Sequence, residues 1–234
     1  TFFGWTHANM MGLDFLLLAM DIMYLRKECK KWYDCILYAV FIIFLDKTAN
    51  SRTAEAIIAM LIVIHLLSII MQRNWFHKMM VLFTSGAFLL CVGIPFIGSY
   101  LYIHKPELFL QHDGTMLSRI QLTTTFYLRN GGFGFYGFPI EDQDCLDMMF
   151  SYIGLHWGTA AFIIISAAII YAIYKASREQ HTSFLILLFF FLVYGWAEVA
   201  PIYPVYSYLS LLLGYYIMNR KPFYCKRPYT CANF

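Results

Sequence analysis

The chain has 234 residues, of which 60% are hydrophobic and only 13% are charged, and its formal net charge is +3. Charged residues normally make up about a quarter of a soluble domain, and such a domain has no means of burying this much apolar surface. The composition therefore excludes a soluble enzyme, a disordered chain and a collagen-like repeat. It predicts that lipid surrounds most of the protein.

Seven apolar stretches approach the length of about 20 residues that a helix needs to cross a bilayer. They cover residues 8–25, 35–50, 53–72, 79–103, 149–174, 184–199 and 203–218. The fourth contains Pro95, which predicts a kink or break in its outer half. No internal repeat or linker divides the chain, so we expect an all-α integral membrane protein in which residues 1–234 form a single polytopic domain.

Basic residues are divided unequally among the segments that join these stretches. If residues 1–7 lie outside, twelve of the 17 Lys and Arg residues fall in the inner segments, 26–34, 73–78, 175–183 and 219–234. Because basic residues concentrate on the cytoplasmic side, residues 1–7 are predicted outside and the tail 219–234 inside. The chain begins at Thr1 without an initiator Met or a signal-peptide pattern, so we expect it to be the C-terminal part of a longer membrane protein.

The predicted outer segment 104–148 is much longer than the others, and connections of this length are usually functional or disordered. Its many Phe, Tyr and Leu residues argue against disorder. Residues 116–129 place one set of side chains at helical spacing, namely Leu117, Ile120, Thr124, Tyr127 and Leu128. Arg119 lies off that face. The pattern predicts an interfacial helix over the spans, with a lid that only packs as the alternative.

A glycine-rich segment, Asn130-Gly-Gly-Phe-Gly-Phe-Tyr-Gly-Phe138, follows this helix. Its spacing matches G-x-G-x-x-G, but neither a preceding strand nor a βαβ unit is predicted, so we reject dinucleotide binding. We expect the glycines to form turns. Phe133, Phe135 and Tyr136 would then face a sugar or lipid headgroups, although aromatic residues are common at membrane interfaces without any ligand.

Four carboxylates come next, at Glu141, Asp142, Asp144 and Asp147. Asp142-x-Asp144 resembles the D-x-D motif of soluble sugar transferases, but it is predicted outside, where nucleotide sugars are absent. We therefore predict no metal site. A single carboxylate that acts as a base or orients a hydroxyl is the better functional interpretation, and a solvated acidic loop end is the alternative.

Three arginines are predicted on the outer side near the spans: Arg52, Arg119 and Arg129. A charged side chain inside a membrane costs about 2.5–3.5 kcal/mol on insertion scales and tends to mark a site. Arg52 stands at the start of the third span, where Ser51 or Thr53 can cap the helix and the helix N-terminus favours an anion. Guanidinium groups bind phosphate through two hydrogen bonds, so this pattern predicts a diphosphate site. Snorkelling at the interface is the alternative for each arginine.

Several ordered motifs resemble those of bacterial polysaccharide polymerases of the Wzy type. Phe3-Gly-Trp-Thr-His7-Ala-Asn9 resembles fGf-x-hpN, and Thr48-Ala-Asn-Ser-Arg52-Thr53 is similar to t-x-SRt. Leu117-Ser-Arg119 with Phe135-Tyr-Gly137 resembles R…lfG, Asp144-Cys-Leu-Asp-Met-Met-Phe-Ser-Tyr-Ile-Gly154 resembles DN-x-yl…G, and Glu198 has a counterpart before the last span. The chain departs from the family at Ala8, which replaces a Pro, and at Cys145, which replaces the Asn of the Asp-Asn pair.

The resemblance implies a GT-C-like membrane glycosyltransferase. Such an enzyme joins polyprenyl-diphosphate-linked oligosaccharide repeat units into an O-antigen, capsule or exopolysaccharide at the outer face of the bacterial cytoplasmic membrane. The implied roles are diphosphate binding for Arg52, Arg119 and Arg129, with Arg119 also catalytic. Asp144 or Glu198 would orient or deprotonate the acceptor hydroxyl, and His7, Asn9 and Ser51 would line the site.

The same resemblance implies which partners to expect. These are the lipid-linked oligosaccharide, the bilayer, and a flippase and a chain-length regulator of the same pathway. No metal, other cofactor or nucleic acid is expected. An O-antigen ligase-like enzyme, which uses the same donor and another acceptor, is the nearest alternative. A transporter of polysaccharide or lipid-linked sugar is a further one, although transporters typically carry internal repeats that this chain lacks.

Overall fold

The structure of the chain is a computed structural model that describes residues 8–25, 31–48, 51–109, 115–140, 146–197 and 209–218. Within these ranges the regular elements are all helical, and no residue belongs to a strand. The helices are α1 Ala8–Leu25, α2 Asp34–Thr48, α3 Arg52–Ile70, α4 Arg73–His104, α5 Thr115–Arg129, α6 Met149–Tyr152, α7 Thr159–Arg178, α8 Thr182–Ala197 and α9 Leu209–Met218. The predicted all-α class is confirmed for this part of the chain.

Three of the described helices are long and apolar enough to cross a membrane: α3, α4 and α7. Residues 182–196 of α8 are equally apolar but shorter. Helix α4 runs for 32 residues and continues through Pro95. Of the predicted kink or break in its outer half, the break is therefore absent, and a kink at Pro95 stays a prediction. The number of spans, predicted to be seven, stays a prediction.

Helix α8 forms the centre of the bundle. It contacts α3, α4, α6, α7 and α9, and every side chain from 184 to 192 is buried. A helix that is apolar on all sides, as α8 is, lies either in a protein interior or in lipid, and here other helices surround it. Helix α4 instead buries one side and exposes Leu82, Leu89 and Leu90 on the other.

Hydrogen bonds between side chains and the main chain show how α4 and α8 are aligned. The hydroxyl of Thr84 donates to the carbonyl of Leu185 at 3.1 Å, and the thiol of Cys91 donates to that of Leu192 at 3.4 Å. Seven residues separate the two contacts on each helix, so α4 and α8 run parallel. At the start of α4, His77 donates from Nε2 to the carbonyl of Ser177, which lies near the end of α7.

The bundle has two ends, which differ in the elements that lie there. We call the end that carries α5 and residues 130–140 the loop end. The end of α4 lies there, since Gly98 contacts Ile120 of α5. Only two residues connect α3 to α4, and a connection this short implies antiparallel helices, so the start of α3 lies at the loop end as well. Gly12 of α1 contacts that start.

The predicted fifth span, 149–174, is wrong as a single helix. Helix α6 continues into a π-helical turn at Ile153–Trp157, and α7 begins only after Gly158. Gly158 has φ +92°, which L-residues with a side chain rarely adopt and which ends the first helix. The helix that is long enough to span a membrane is therefore displaced to Thr159–Arg178.

The helix predicted at 116–129 is confirmed as α5, with one correction to its buried face. Ile120 and Thr124 are buried as expected, and Tyr127 is half-buried. Leu128, which was assigned to the same face, is 57% exposed. Arg119, predicted off the face, is partly buried. The face of α5 that packs against the bundle is therefore rotated toward Arg119. The carboxylate of Asp147, which comes just before α6, lies beside this arginine.

Candidate active site

Helix α5 is fixed to the loop end by one close contact and one hydrogen bond. Ile120 packs on Gly98, and a Cβ added at position 98 would lie only 2.8 Å from the Cδ1 atom of Ile120. The hydroxyl of Thr123 donates to that of Ser151 at 3.2 Å and so links α5 to α6. Since these contacts are buried, they hold the arginine-bearing helix in one orientation.

Arg119 forms an ion pair with Asp147, which lies just before α6. The Nε atom is 3.8 Å from the nearer carboxylate oxygen, and the two side chains are only 12% and 34% exposed. Partial burial weakens the screening of this pair by water. Asp147 was not assigned a role from the sequence. The sequence feature that could have indicated Asp147 is its position in the acidic segment, which is predicted on the same side as Arg119.

Arg129 occupies the last turn of α5 and is exposed. Its guanidinium carbon lies 5.1 Å from the centre of the Phe126 ring, at the distance of a cation–π contact. Phe126 itself is buried together with Leu146 and Leu155. The Phe126 ring therefore has a fixed position, and the guanidinium of Arg129 packs against it.

Ser51 and Arg52 form the start of α3. Ser51 occupies the N-cap position, but its side chain makes no capping hydrogen bond, and its ψ of 77° differs from the extended value typical of a cap. The side chain is 1% exposed and lies under Gly12 of α1. Arg52 is exposed. Of the two residues, Arg52 is thus the one that a ligand can reach in this conformation.

The contact between Gly12 and Ser51 leads to a testable prediction. A Cβ at position 12 would overlap the hydroxyl oxygen of Ser51 and lie 2.8 Å from the Cβ of Ala54. Gly12→Ala should therefore destabilise the protein by about 1–3 kcal/mol, the usual cost of overpacking. Ser51→Ala alone should be nearly neutral, because the hydroxyl makes no hydrogen bond among the described residues.

The double variant Gly12→Ala/Ser51→Ala tests whether this contact is the cause. Removal of the hydroxyl should restore part of the lost stability, because residues in contact couple in double-mutant cycles. Thermal unfolding of the detergent-solubilised protein measures the effect. Strictly additive effects of the two changes would contradict the assignment.

Glu55 lies one turn after Ser51 and was missed from the sequence. Its main-chain N–H donates to the carbonyl of Ser51 at 3.0 Å, which forms the first turn of α3. The side chain is half-buried, and Oε1 is completely buried without a hydrogen-bond partner among the described residues. Its position inside the predicted span 53–72 could have indicated Glu55 from the sequence, since ionisable residues in spans often mark a site.

The glycine-rich segment is held against the start of α7. The carbonyl of Gly134 accepts hydrogen bonds from the N–H and the hydroxyl of Thr159, at 3.0 and 3.1 Å, and that of Phe135 accepts one from Ala160 at 3.3 Å. These carbonyls satisfy N–H groups that a helix start leaves open. The predicted turn-forming role is confirmed at Gly132, which has φ +119° and donates from its N–H to the carbonyl of Tyr127 at 3.0 Å in the turn that follows α5. Gly137 also has a positive φ, +76°, but no turn is assigned there.

Two aromatic side chains project from this segment into the surroundings. Phe135 is 65% exposed and Tyr136 is 86% exposed, with their rings perpendicular and 4.8 Å apart. Phe133 instead packs against Phe96 of α4 and Tyr127 of α5, at ring distances of 5.3 and 5.1 Å. Of the three aromatic residues proposed to face a ligand, Phe135 and Tyr136 are thus the two most exposed.

The remaining residues predicted for the site lie outside what the structure describes. His7, Asp144 and Glu198 fall outside the described residues, and Asn9 belongs to α1 without a described side chain. The three arginines share the loop end but have different neighbours. Arg52 follows Ser51, which packs against α1, Arg119 pairs with Asp147, and the guanidinium of Arg129 lies over the ring of Phe126. Over the described ranges, no group of three or more His, Cys, Asp or Glu side chains is placed to hold a metal ion.

The loop end thus combines arginines, a half-buried carboxylate and exposed aromatic rings. Such a set has the chemistry to bind an anion beside a hydroxyl-bearing ligand. No protein-family model, curated protein or solved structure matches the chain.

Proposed function

We propose that the protein is a GT-C-like glycosyltransferase that polymerises polyprenyl-diphosphate-linked oligosaccharide units. The observation that carries this proposal is the partly buried pair of Arg119 and Asp147 at the bundle end where α3 begins with Arg52. A guanidinium held by a carboxylate keeps further N–H groups in fixed directions, which suits a diphosphate.

The reaction follows from the charges that it creates. An acceptor hydroxyl oxygen attacks the anomeric carbon of the donor sugar, and the bond from that carbon to the diphosphate oxygen breaks. The electron pair leaves with the polyprenyl diphosphate, and the hydroxyl proton passes to a carboxylate. Arginines that are fixed before the reaction stabilise the growing negative charge without reorganisation. Arg52, Arg119 and Arg129 are the groups proposed for this role.

In this proposal the loop end faces the outside of a bacterial cytoplasmic membrane, and the opposite end faces the cytoplasm. The donor then reaches the site from the outer leaflet, where a flippase delivers lipid-linked units. A chain-length regulator would act on the product. The supporting argument is the distribution of basic residues, twelve of which fall in the segments predicted to be inner.

The arginines provide the test. In the full-length protein, Arg52→Ala and Arg119→Ala should each lower polymer formation by about 100-fold, the usual effect of removing one preorganised donor from a developing anion. Arg129→Ala should lower it less, because this side chain lies in the last turn of α5, where the partial negative charge of the helix end disfavours an anion, whereas Arg52 stands at a helix start that favours one. Gel analysis of polymer made from purified lipid-linked repeat units measures both the amount and the chain length.

Arg73→Ala is the matched control, since Arg73 is also exposed but begins α4 at the opposite end of the bundle. It should leave polymer formation unchanged. Polymer of normal amount and length from all three loop-end variants would refute the diphosphate site.

A further inference from the structure

The start of α4 and the end of α7 meet at the end of the bundle opposite the loop end, where His77 joins them. Its Nε2 atom donates to the carbonyl of Ser177 at 3.2 Å. Its Nδ1 atom accepts a hydrogen bond from the hydroxyl of Thr182, the first residue of α8, at 2.9 Å. Because the imidazole is buried, these bonds hold the two helix ends in one arrangement.

Each of these two helix ends carries a cation beside an exposed aromatic ring. On α4, Nζ of Lys78 lies 5.6 Å from the centre of the Trp75 ring. On α7, the guanidinium carbon of Arg178 lies 5.8 Å from the centre of the Tyr174 ring, and the guanidinium donates to the tyrosine hydroxyl at 3.0 Å. We call these four residues the junction surface. An aromatic ring attracts a cation but carries no net charge, so both positive charges can still attract an anion.

The cations of the junction surface have no carboxylate partner among the described residues. Both side chains are exposed, and no described carboxylate lies within ion-pair distance of either one. Glu179, which follows Arg178 in the sequence, instead accepts a hydrogen bond from the hydroxyl of Tyr216 at 3.1 Å and lies 3.9 Å from Nδ1 of His181. The charge of the junction surface therefore fits an anionic partner.

Exposed apolar stripes continue from the junction surface along both helices. The stripe on α4 contains Leu82 and Leu89, the stripe on α7 contains Ile163 and Ile170, and each of these side chains is more than half exposed. Residues four or seven apart lie near one face of a helix, so each stripe shares the face of the aromatic residue on its own helix. Both helices are long and apolar enough to cross a membrane. A partner that covers a stripe and both cations needs an apolar chain and an anionic head.

We propose that the junction surface binds the headgroup of an anionic phospholipid, whose acyl chains lie against the exposed stripes of α4 and α7. Lys78 and Arg178 pair with the phosphate, and the arginine offers it two parallel hydrogen bonds. Trp75 and Tyr174 lie at headgroup level, where such rings are enriched. In the orientation proposed above, this end faces the cytoplasmic leaflet, which carries anionic lipids. The proposed glycosyl transfer does not use this surface.

Native mass spectrometry of the full-length protein in detergent tests the proposal. The protein is titrated with phosphatidylglycerol and, separately, with phosphatidylcholine that has the same acyl chains. A basic residue near anionic lipid strengthens binding about fivefold, so Lys78→Gln/Arg178→Gln should weaken phosphatidylglycerol binding about 25-fold and change phosphatidylcholine binding less than about twofold. Lys78→Arg/Arg178→Lys keeps both charges and should bind like wild type. The matched control is Lys47→Gln/Lys105→Gln, which removes two exposed lysines near the ends of α2 and α4 and should also bind like wild type.

Three results would overturn the lipid assignment. The first is equal binding of the two lipids by wild type, or a loss of less than about threefold in Lys78→Gln/Arg178→Gln. The second is displacement of phosphatidylglycerol by millimolar glycerol phosphate, which would show that a free anion fits the surface without acyl chains. The third is a wild-type dimer that releases the lipid, which would assign the stripes to a second copy of the chain. An unfolding temperature equal to that of wild type shows that lost binding is not lost folding.

Discussion

Alanine at Gly137 is expected to destabilise the protein by roughly 2–5 kcal/mol. A Cβ at this position would overlap the main-chain carbonyl of His156, and the backbone has φ +76°. The left-handed conformation costs a non-glycine residue about 1–2 kcal/mol, and overpacking adds about 1–3 kcal/mol. Because the obstacle is main chain and not a side-chain tip, no change of rotamer relieves it. Gly158→Ala should behave in the same way, since its Cβ would overlap Gly137.

Thermal unfolding of the solubilised protein measures this effect. A loss of about 2–5 kcal/mol corresponds to a fall in Tm of roughly 4–20 °C for a chain of this size. Two glycines provide controls. Gly131 also has a positive φ, +70°, but nothing lies within 4 Å of its Cβ position, so Gly131→Ala should show only the backbone cost. Gly86 is helical and unobstructed, so Gly86→Ala should be neutral or slightly stabilising.

The comparison among these glycines separates contact from conformation. If Gly137→Ala and Gly131→Ala lower Tm equally, the close approach of the two segments does not contribute to stability. In the structure, that approach aligns the hydrogen bond from the N–H of Phe138 to the carbonyl of Leu155, at 2.9 Å. The exposed pair of Phe135 and Tyr136 depends on the same contact for its position.

The helices were predictable from the sequence because hydropathy acts locally. Helix α4 covers the fourth apolar stretch, α3 covers the third except its last two residues, and α5 begins one residue before its predicted start. The interruption at Gly158 was not predictable in this way. Its conformation is tied to a contact with Gly137, 21 residues earlier, and no periodicity within residues 149–174 records that contact.

The candidate site was only partly predictable for a similar reason. The distribution of charge predicted that Arg52 and Arg119 share one side of the bundle. The start of α3, which carries Arg52, and α5, which carries Arg119, both lie at the loop end. The burial of Arg119 was not predicted, because helical spacing alone treats a charged side chain as solvent-exposed. The pairing with Asp147 accounts for the burial of Arg119, since an opposite charge at 3.8 Å offsets the cost of removing the guanidinium from water.

At the opposite end of the bundle, a buried histidine joins α3 to the start of α2. His65 is fully buried and donates from Nε2 to the carbonyl of Lys31 at 3.0 Å. The carboxylate of Asp34 lies 3.6 Å from the same nitrogen and accepts a hydrogen bond from the N–H of Lys31 at 3.1 Å. The ring of Tyr38 meets the imidazole edge-on, with 5.6 Å between the ring centres.

Removal of this imidazole should rank with the Gly137 variant in its effect. His65→Ala leaves a cavity, which costs about 2–5 kcal/mol for large side chains, and it removes the hydrogen bond to the carbonyl of Lys31, which contributes about 0.5–1.5 kcal/mol. We expect a total of roughly 2.5–6.5 kcal/mol, measured as a fall in Tm. His104→Ala is the control, because His104 is exposed at the end of α4 and should change stability by less than about 1 kcal/mol.

Two further variants separate packing from hydrogen bonding at this position. His65→Phe fills the space but supplies no donor, whereas His65→Gln places an amide N–H close to the position of Nε2. If the hydrogen bond to Lys31 dominates, glutamine should restore most of the stability and phenylalanine little of it. The reverse order would show that the contact with Tyr38 is the stronger tie between α2 and α3. A Tm for His65→Ala equal to that of His104→Ala would exclude both.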